Sequence, residues 1–210
     1  MFLQKFGFEN SSTGATSELF SSPKDYYHYA NNLDNNKYAR NFLARNYRDG
    51  TGGANINNQQ AFYWAKESAA LGFTSGQYNL GYCYIKGIGV TPSDELAFYW
   101  FKEAAKITSS MAEYSVGFCY RNGFGTPVNQ LKATYWFLRA ASHDDGVDGL
   151  AQYVLAGRYH KGNGVNRDVH KAIRFGIRAI QFELRTENNG QQNAMYSLIN
   201  IFSNGFHFLM

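Results

Sequence analysis

The sequence predicts an all-α fold, a tandem array of helix pairs. Three observations carry that prediction. A Tyr-x-x-Gly signature recurs at nearly constant spacing: Tyr47 before Gly50, Tyr84 before Gly87, Tyr120 before Gly123 and Tyr159 before Gly162. Trp64, Trp100 and Trp136 follow the first three at intervals of 36 residues, and Phe175 stands in the fourth place. Between these marks, small and large side chains recur at the offsets of one helix face. A period in this range marks units that bury their faces against neighbours rather than in one central core.

The first half of each unit reads small-x-x-x-Leu-small-x-x-Tyr, with Val for Leu in the third copy. It appears as Ala39/Leu43/Ala44/Tyr47, Gly76/Leu80/Gly81/Tyr84, Ala112/Val116/Gly117/Tyr120 and Ala151/Leu155/Ala156/Tyr159. Offsets of four and five place these side chains on one side of a helix. A Gly-x-Gly turn follows (Gly87 and Gly89, Gly123 and Gly125, Gly162 and Gly164), one residue longer in the first copy. The second half opens on a residue whose side-chain oxygen can cap a helix: Asn57, Ser93, Asn129 and Asp168, each four residues before Ala61, Ala97, Ala133 or Ala172. The aromatic run then leads into small residues, Ser68-Ala69, Ala104-Ala105, Ala140-Ala141 and Ala179. Small residues beside large rings let two helices approach closely while the rings fill the gaps. Trp100 is expected in the seam between its own first helix and the next repeat.

The unit resembles the Sel-one-like repeat, a relative of the tetratricopeptide repeat, with the pattern A-x-x-x-LG-x-x-Y-x-x-G-x-GV-x-x-D-x-x-x-A-x-x-W-x-x-x-AA. Residues 76–105 follow it at Gly76, Leu80, Gly81, Tyr84, Gly87, Gly89, Val90, Ala97, Trp100, Ala104 and Ala105. The fourth copy adds Gly164, Val165, Asp168 and Ala172. Departures are Phe175 for Trp, and Asn or Ser for Asp in three caps. The resemblance implies a right-handed α-solenoid of antiparallel helix pairs. Repeats are expected at about 38–73, 74–107, 108–143 and 147–181, with a partial fifth at 190–206 inside a solenoid of 38–210. Residues 1–37 read as a partly flexible N-terminal segment with a candidate helix near 24–32. The apolar tail, Phe206, Phe208, Leu209 and Met210, is expected to fold back or to continue into further chain.

Net charge is +4, too mild to define a partner class. The excess is late: Arg158, Lys161, Arg167, Lys171, Arg174, Arg178 and Arg185 face only Asp168 and Glu183. The plain reading is a solvated face, and the sharper one is an acidic partner at 158–185. Nucleic acid is not expected, because no binding motif accompanies the charge. Cys83 and Cys119 occupy equivalent first-helix positions, one thiol per repeat, so the two-cysteine bridge carried by some relatives has no counterpart here. Neither a CxxC nor a His pair provides zinc-ligand spacing, and no metal or cofactor is expected. No apolar run long enough to span a membrane occurs, and Met1–Gly7 shows no secretory pattern, which favours a cytoplasmic location, with a secreted effector as the alternative.

Catalysis has little support. His143, Asp144, Asp145 and Asp148 cluster in an inter-repeat loop, where acidity serves solubility. The Gly-x-Gly turns are periodic and follow no strand, so they read as hairpin turns rather than a phosphate cradle. The resemblance implies a protein-interaction scaffold. The alternatives are a hydrolase of the cysteine-rich penicillin-binding branch, or an effector of an intracellular bacterium engaging a host protein. Related solenoids line a concave groove with first helices. By 100° steps the face opposite Leu80, Gly81 and Tyr84 holds Asn79, Tyr82 and Lys86. Its equivalents are Ser115, Phe118 and Asn122, then Val154 and Lys161. These eight are the expected contacts for a protein or peptide, with Tyr82 and Phe118 as the aromatic anchors.

Overall fold

The computed structural model describes residues 36–143 and 148–185. Eight helices and no strand occur among them: α1 (Lys37–Asp49), α2 (Asn58–Ala70), α3 (Thr74–Lys86), α4 (Asp94–Ala105), α5 (Ser110–Asn122), α6 (Gln130–Ala140), α7 (Asp148–Lys161) and α8 (Val169–Arg185). They form four helix pairs at the places the repeat predicts. The expected N-terminal segment with its helix near 24–32, Asp144 and Asp145, the partial fifth repeat and the apolar tail lie outside the described residues. The chain divides into two compact units, the first closing at Trp100 and the second opening at Phe101.

Each pair is held by the residues that define the sequence period. The four capping residues act as read: the side-chain oxygens of Asn57, Ser93, Asn129 and Asp168 accept the N–H of Gln60, Leu96, Lys132 and Lys171 at 2.9–3.2 Å. The N–H of the same four residues donates to the carbonyl of the signature Tyr of its repeat: Asn57 to Tyr47, Ser93 to Tyr84, Asn129 to Tyr120 and Asp168 to Tyr159. One residue thus starts the second helix and ties it to the end of the first. Gly89 and Gly164, at φ 68° in both cases, turn the chain where a side chain is twice forbidden. Their conformation is left-handed. A Cβ would also collide with the carbonyl of Asn58 or of Gln130, the first residue of the second helix one repeat earlier.

In the first unit, Leu43, Ala44, Trp64, Ala65, Leu80 and Cys83 form a buried cluster, with Phe42, Tyr47, Phe62 and Tyr84 packed around it. Trp100, expected in the seam toward the next repeat, packs against this cluster of α1–α3 and is only half-buried. Ser68 donates to the Lys37 carbonyl at 2.8 Å and fills the space that a Cβ on Gly76 would need, so α2 is fitted closely to both α1 and α3. In the second unit, Ala133, Phe137 and Leu155 form the centre, with Tyr114, Tyr120, Tyr159 and Phe175 against them. Gly117 makes room for Phe137, whose ring would lie 3.0 Å from an added Cβ.

Two helix pairs carry an internal ion pair at matching positions with opposite polarity. Arg40 on α1 meets Glu67 on α2 at 3.3 Å. On α5 and α6 the acid comes first: Glu113, fully buried, lies 2.7 Å from Arg139 and 2.9 Å from His143 Nε2. Arg139 Nη2 faces Glu113 Oε1 as a charge contact without hydrogen-bond alignment, while His143 holds Oε2.

Candidate protein-binding surfaces

The first helices bury a wider arc than the sequence expectation allowed. Asn79 is buried, and Ser115 and Val154 are half-buried. Each lies three residues after a buried small residue (Gly76, Ala112, Ala151) and four before another buried residue (Cys83, Cys119, Arg158). Steps of three and four keep side chains on one face, so this column belongs to the inner arc. Val154 packs against the Phe137–Leu155 cluster, and Ser115 Oγ donates to the Met111 carbonyl of its own helix. Asn79 is therefore corrected from an exposed contact to a buried one, while Ser115 and Val154 flank the inner arc and are half-exposed, as Tyr82 and Phe118 are. Lys86, Asn122 and Lys161 are exposed, and Tyr82 and Phe118 are half-exposed and pack on neither the Leu43–Leu80 nor the Phe137–Leu155 cluster.

In the first unit Asn79 organises the face around Tyr82. Its Nδ2 donates to Asn41 Oδ1 at 2.7 Å, and its Oδ1 accepts from Arg48 Nη1 at 2.9 Å. Arg48 also grips Asp49 through two hydrogen bonds, at 2.7 and 2.8 Å. That bond raises the guanidinium above its ordinary value and holds the Asp49 carboxyl below its own. The same guanidinium lies 5.2 Å from the Tyr82 ring, and Tyr78 stacks on the ring's flank at 6.4 Å. The result is a fixed aromatic surface beside a cation whose donors are already aimed.

In the second unit Phe118 is similarly dressed. It stacks on Phe124 of the glycine turn at 5.6 Å, and Arg121 lies 4.9 Å over its ring. Asn122 donates to the Phe118 carbonyl at 2.9 Å. The position equivalent to Tyr82 and Phe118 in α7 is Gly157, around which there is open space.

The late basic stretch separates into a buried part and an open part. Arg158, counted among surface cations by sequence, is 4% exposed. It occupies the column of Cys83 and Cys119, a register that marks burial in every copy. Its Nε donates to Thr134 Oγ1 at 2.7 Å, and its Nη2 donates to the Gln130 carbonyl and side chain. Phe137 lies beneath the guanidinium at 5.6 Å. Burial, and then the neighbouring Arg121 cation, hold its pKa below the usual value. Arg158 is thus a structural clasp between α7 and α6. The open part is a cavity of about 160 Å³ lined by Tyr159, Lys171, Arg174, Phe175 and Arg178. Its ring pair, Tyr159 on Phe175, is stacked at 5.5 Å with 8° between planes. It shares Tyr159 and Lys171 with a wider, shallower hollow reaching Arg167 and Leu131. Sequence reading named the basic 158–185 stretch as a seat for an acidic partner but did not foresee this trough or its ring pair.

Cys83 and Cys119 are buried thiols outside any disulfide. Among the described residues no cluster of His, Cys, Asp or Glu has the makings of a metal site, and no helix is long and apolar enough to cross a membrane. His143 engages Glu113 rather than an open cleft.

The Sel1 repeat matches at residues 37–73, 74–107, 110–145 and 149–181, more than half of the chain. No curated protein matches the chain in sequence. The crystal structure of a Sel1 repeat protein from Oxalobacter formigenes is 30% identical, with a TM-score of 0.66, over 78% of this chain and 68% of that one. The structure of c5321, a protective antigen of uropathogenic Escherichia coli strains displaying an SLR fold, is 25% identical with a TM-score of 0.73; the match covers 88% of this chain but 37% of c5321. A sel1 repeat protein from Klebsiella pneumoniae shares the fold at 17% identity and a TM-score of 0.55, over 90% of this chain and 86% of that one. Capped second helices, glycine turns docked on the preceding repeat and four matched units together make this chain a member of the Sel1 repeat family, whose helical repeats commonly mediate protein–protein interaction.

Proposed function

We propose that the chain is a protein-interaction adaptor that holds partner segments on the first-helix faces around Tyr82 and Phe118 and performs no chemistry of its own. The observation carrying this reading is the setting of those two rings. Neither packs on the Leu43–Leu80 or the Phe137–Leu155 cluster, both are half-exposed, and each has an arginine over its face. Rigid aromatic surface beside arginine is the composition of interface hot spots. Lys86, Asn122 and Lys161 supply an exposed polar rim at the helix ends. The cation surplus of the fourth repeat favours an acidic partner on the second unit.

The test is affinity capture with mass spectrometry, using the full chain and its Tyr82→Ala/Phe118→Ala variant as baits. The expected result is a defined partner set that the variant loses while keeping its helical circular dichroism and melting temperature within a few degrees. Collapse of the variant would assign the two rings to folding, and unchanged capture would remove them from the interface. A β-lactam turnover assay on the intact chain is expected to give background rates; turnover would return the hydrolase alternative.

A further inference from the structure

We propose that the trough between α7 and α8 seats an acidic peptide segment of a partner protein, its carboxylates taken by Arg167, Lys171, Arg174 and Arg178 above the stacked rings of Tyr159 and Phe175. The proposal deepens the adaptor reading and rests on it. Between residues 158 and 181 there are six Lys or Arg and one Asp. That Asp168 is engaged: Oδ1 accepts the Lys171 N–H at 2.9 Å, and Oδ2 lies 3.6 Å from Lys171 Nζ. Among the residues whose side chains are described, which end at Gln181, neither Arg174 nor Arg178 has a carboxylate partner.

Comparison between repeats explains the surplus. Arg178 stands where Arg139 stands one repeat earlier, and Arg139 is answered by Glu113. At the position of Glu113 the fourth repeat has Gln152. The internal acid is gone and the cation remains at the rim of a cavity.

The geometry favours an extended chain of acids. Lys171, Arg174 and Arg178 follow one another by three and four residues, advancing about 10 Å along α8. Alternate side chains of an extended peptide lie about 7 Å apart on one side, so two carboxylates can be met together. Arginine forks suit carboxylates in two-point contact. Nucleobases fit less well, because they need open ring faces to stack on. Tyr159 already has Phe175 on it, and Lys171 Nζ lies 5.4 Å from its centre.

The experiment measures fluorescence anisotropy of a short labelled peptide of alternating Glu and Ser against the full chain. The same peptide with Gln for Glu, an oligothymidylate of equal charge and phosphatidylserine vesicles serve as competitors. The Glu peptide is expected to bind, to weaken with added salt, and to compete better than the other three. Arg174→Glu/Arg178→Glu is expected to weaken binding about tenfold or more, the loss of roughly one charge-assisted contact. Arg45→Glu/Lys66→Glu makes the same change in net charge at exposed positions of the first unit and is expected to leave binding unchanged. Gln152→Glu, which gives Arg178 an internal acid, should weaken binding without removing a cation, and it covers the case in which the double reversal does not fold. The proposal is overturned by no binding of the Glu peptide, by equal losses in both double variants, by no loss in Gln152→Glu, or by preferred competition from oligothymidylate or vesicles. Partner capture that depends on Tyr82 and Phe118 but persists in Arg174→Glu/Arg178→Glu would sink the acidic seat alone. Glu-peptide binding without such capture would sink the adaptor reading alone.

Discussion

Cys83 shows how one buried side chain links packing to pH. It sits among Leu43, Trp64 and Leu80, and burial pushes its thiol up to about 11 from an ordinary 9.0, with the Arg48 cation opposing the rise. The folded-state value is the higher one, so its contribution to stability is whole below pH 9 and is lost as pH rises toward 11. The loss is on the order of 3 kcal/mol, since each tenfold change in proton affinity is worth roughly 1.4 kcal/mol. Urea unfolding midpoints on either side of this window should fall more in the wild type than in Cys83→Ala. Alkylation of Cys83 by iodoacetamide should be slow in the native protein and fast in urea; equal rates would remove the thiol from the core. The column of Cys83 reads Asn46, Cys83, Cys119 and Arg158, buried in every copy, but its mixed chemistry hid that register, and the charge of Arg158 outweighed it in the sequence reading. Glu113 was hidden for a related reason: its column reads Arg40, Gln77, Glu113 and Gln152, polar in every copy, yet the carboxylate lies fully inside, held by Arg139 and His143.

At the level of the helix, caps and turns were the most readable parts. Asn57, Ser93, Asn129 and Asp168 announce helix starts because a side-chain acceptor there satisfies a free N–H whatever surrounds it. Arc width was not readable in this way. Periodicity supplies register, but the number of neighbours a helix has decides how much of its circumference is covered, and so Asn79 is buried and Ser115 and Val154 are half-covered. Two substitutions separate local from docking effects. Asn129→Ala removes one cap and should cost about 1 kcal/mol. Gly164→Ala should cost more, on the order of 1–3 kcal/mol from backbone strain alone, because its Cβ also meets the Gln130 carbonyl. Chemical denaturation of the two variants checks the order, and a Gly164→Ala loss no larger than that of Asn129→Ala would count against the docked turn.

The molecule is held by neighbour-to-neighbour packing within each unit, so damage should stay local. Phe137 is fully buried at the centre of the second unit, against Tyr114 on α5 and near Leu155 on α7. Phe137→Ala should cost roughly 3–5 kcal/mol. In hydrogen exchange, the loss of protection should concentrate in α5–α7 and leave α1–α3 near wild-type rates. Uniform loss along the chain would show instead that the repeats unfold as one. Locality carries a hazard, because helices built on one pattern can be mated wrongly while the chain emerges from the ribosome or when repeats recombine. Here the two ion pairs act as a lock and its mirror image. An α1 laid on α6 would set Arg40 against Arg139, and an α5 laid on α2 would set Glu113 against Glu67. Between these two pairs only cognate halves cancel their charges, so the piece that can be exchanged between them safely is the whole helix pair rather than the single helix.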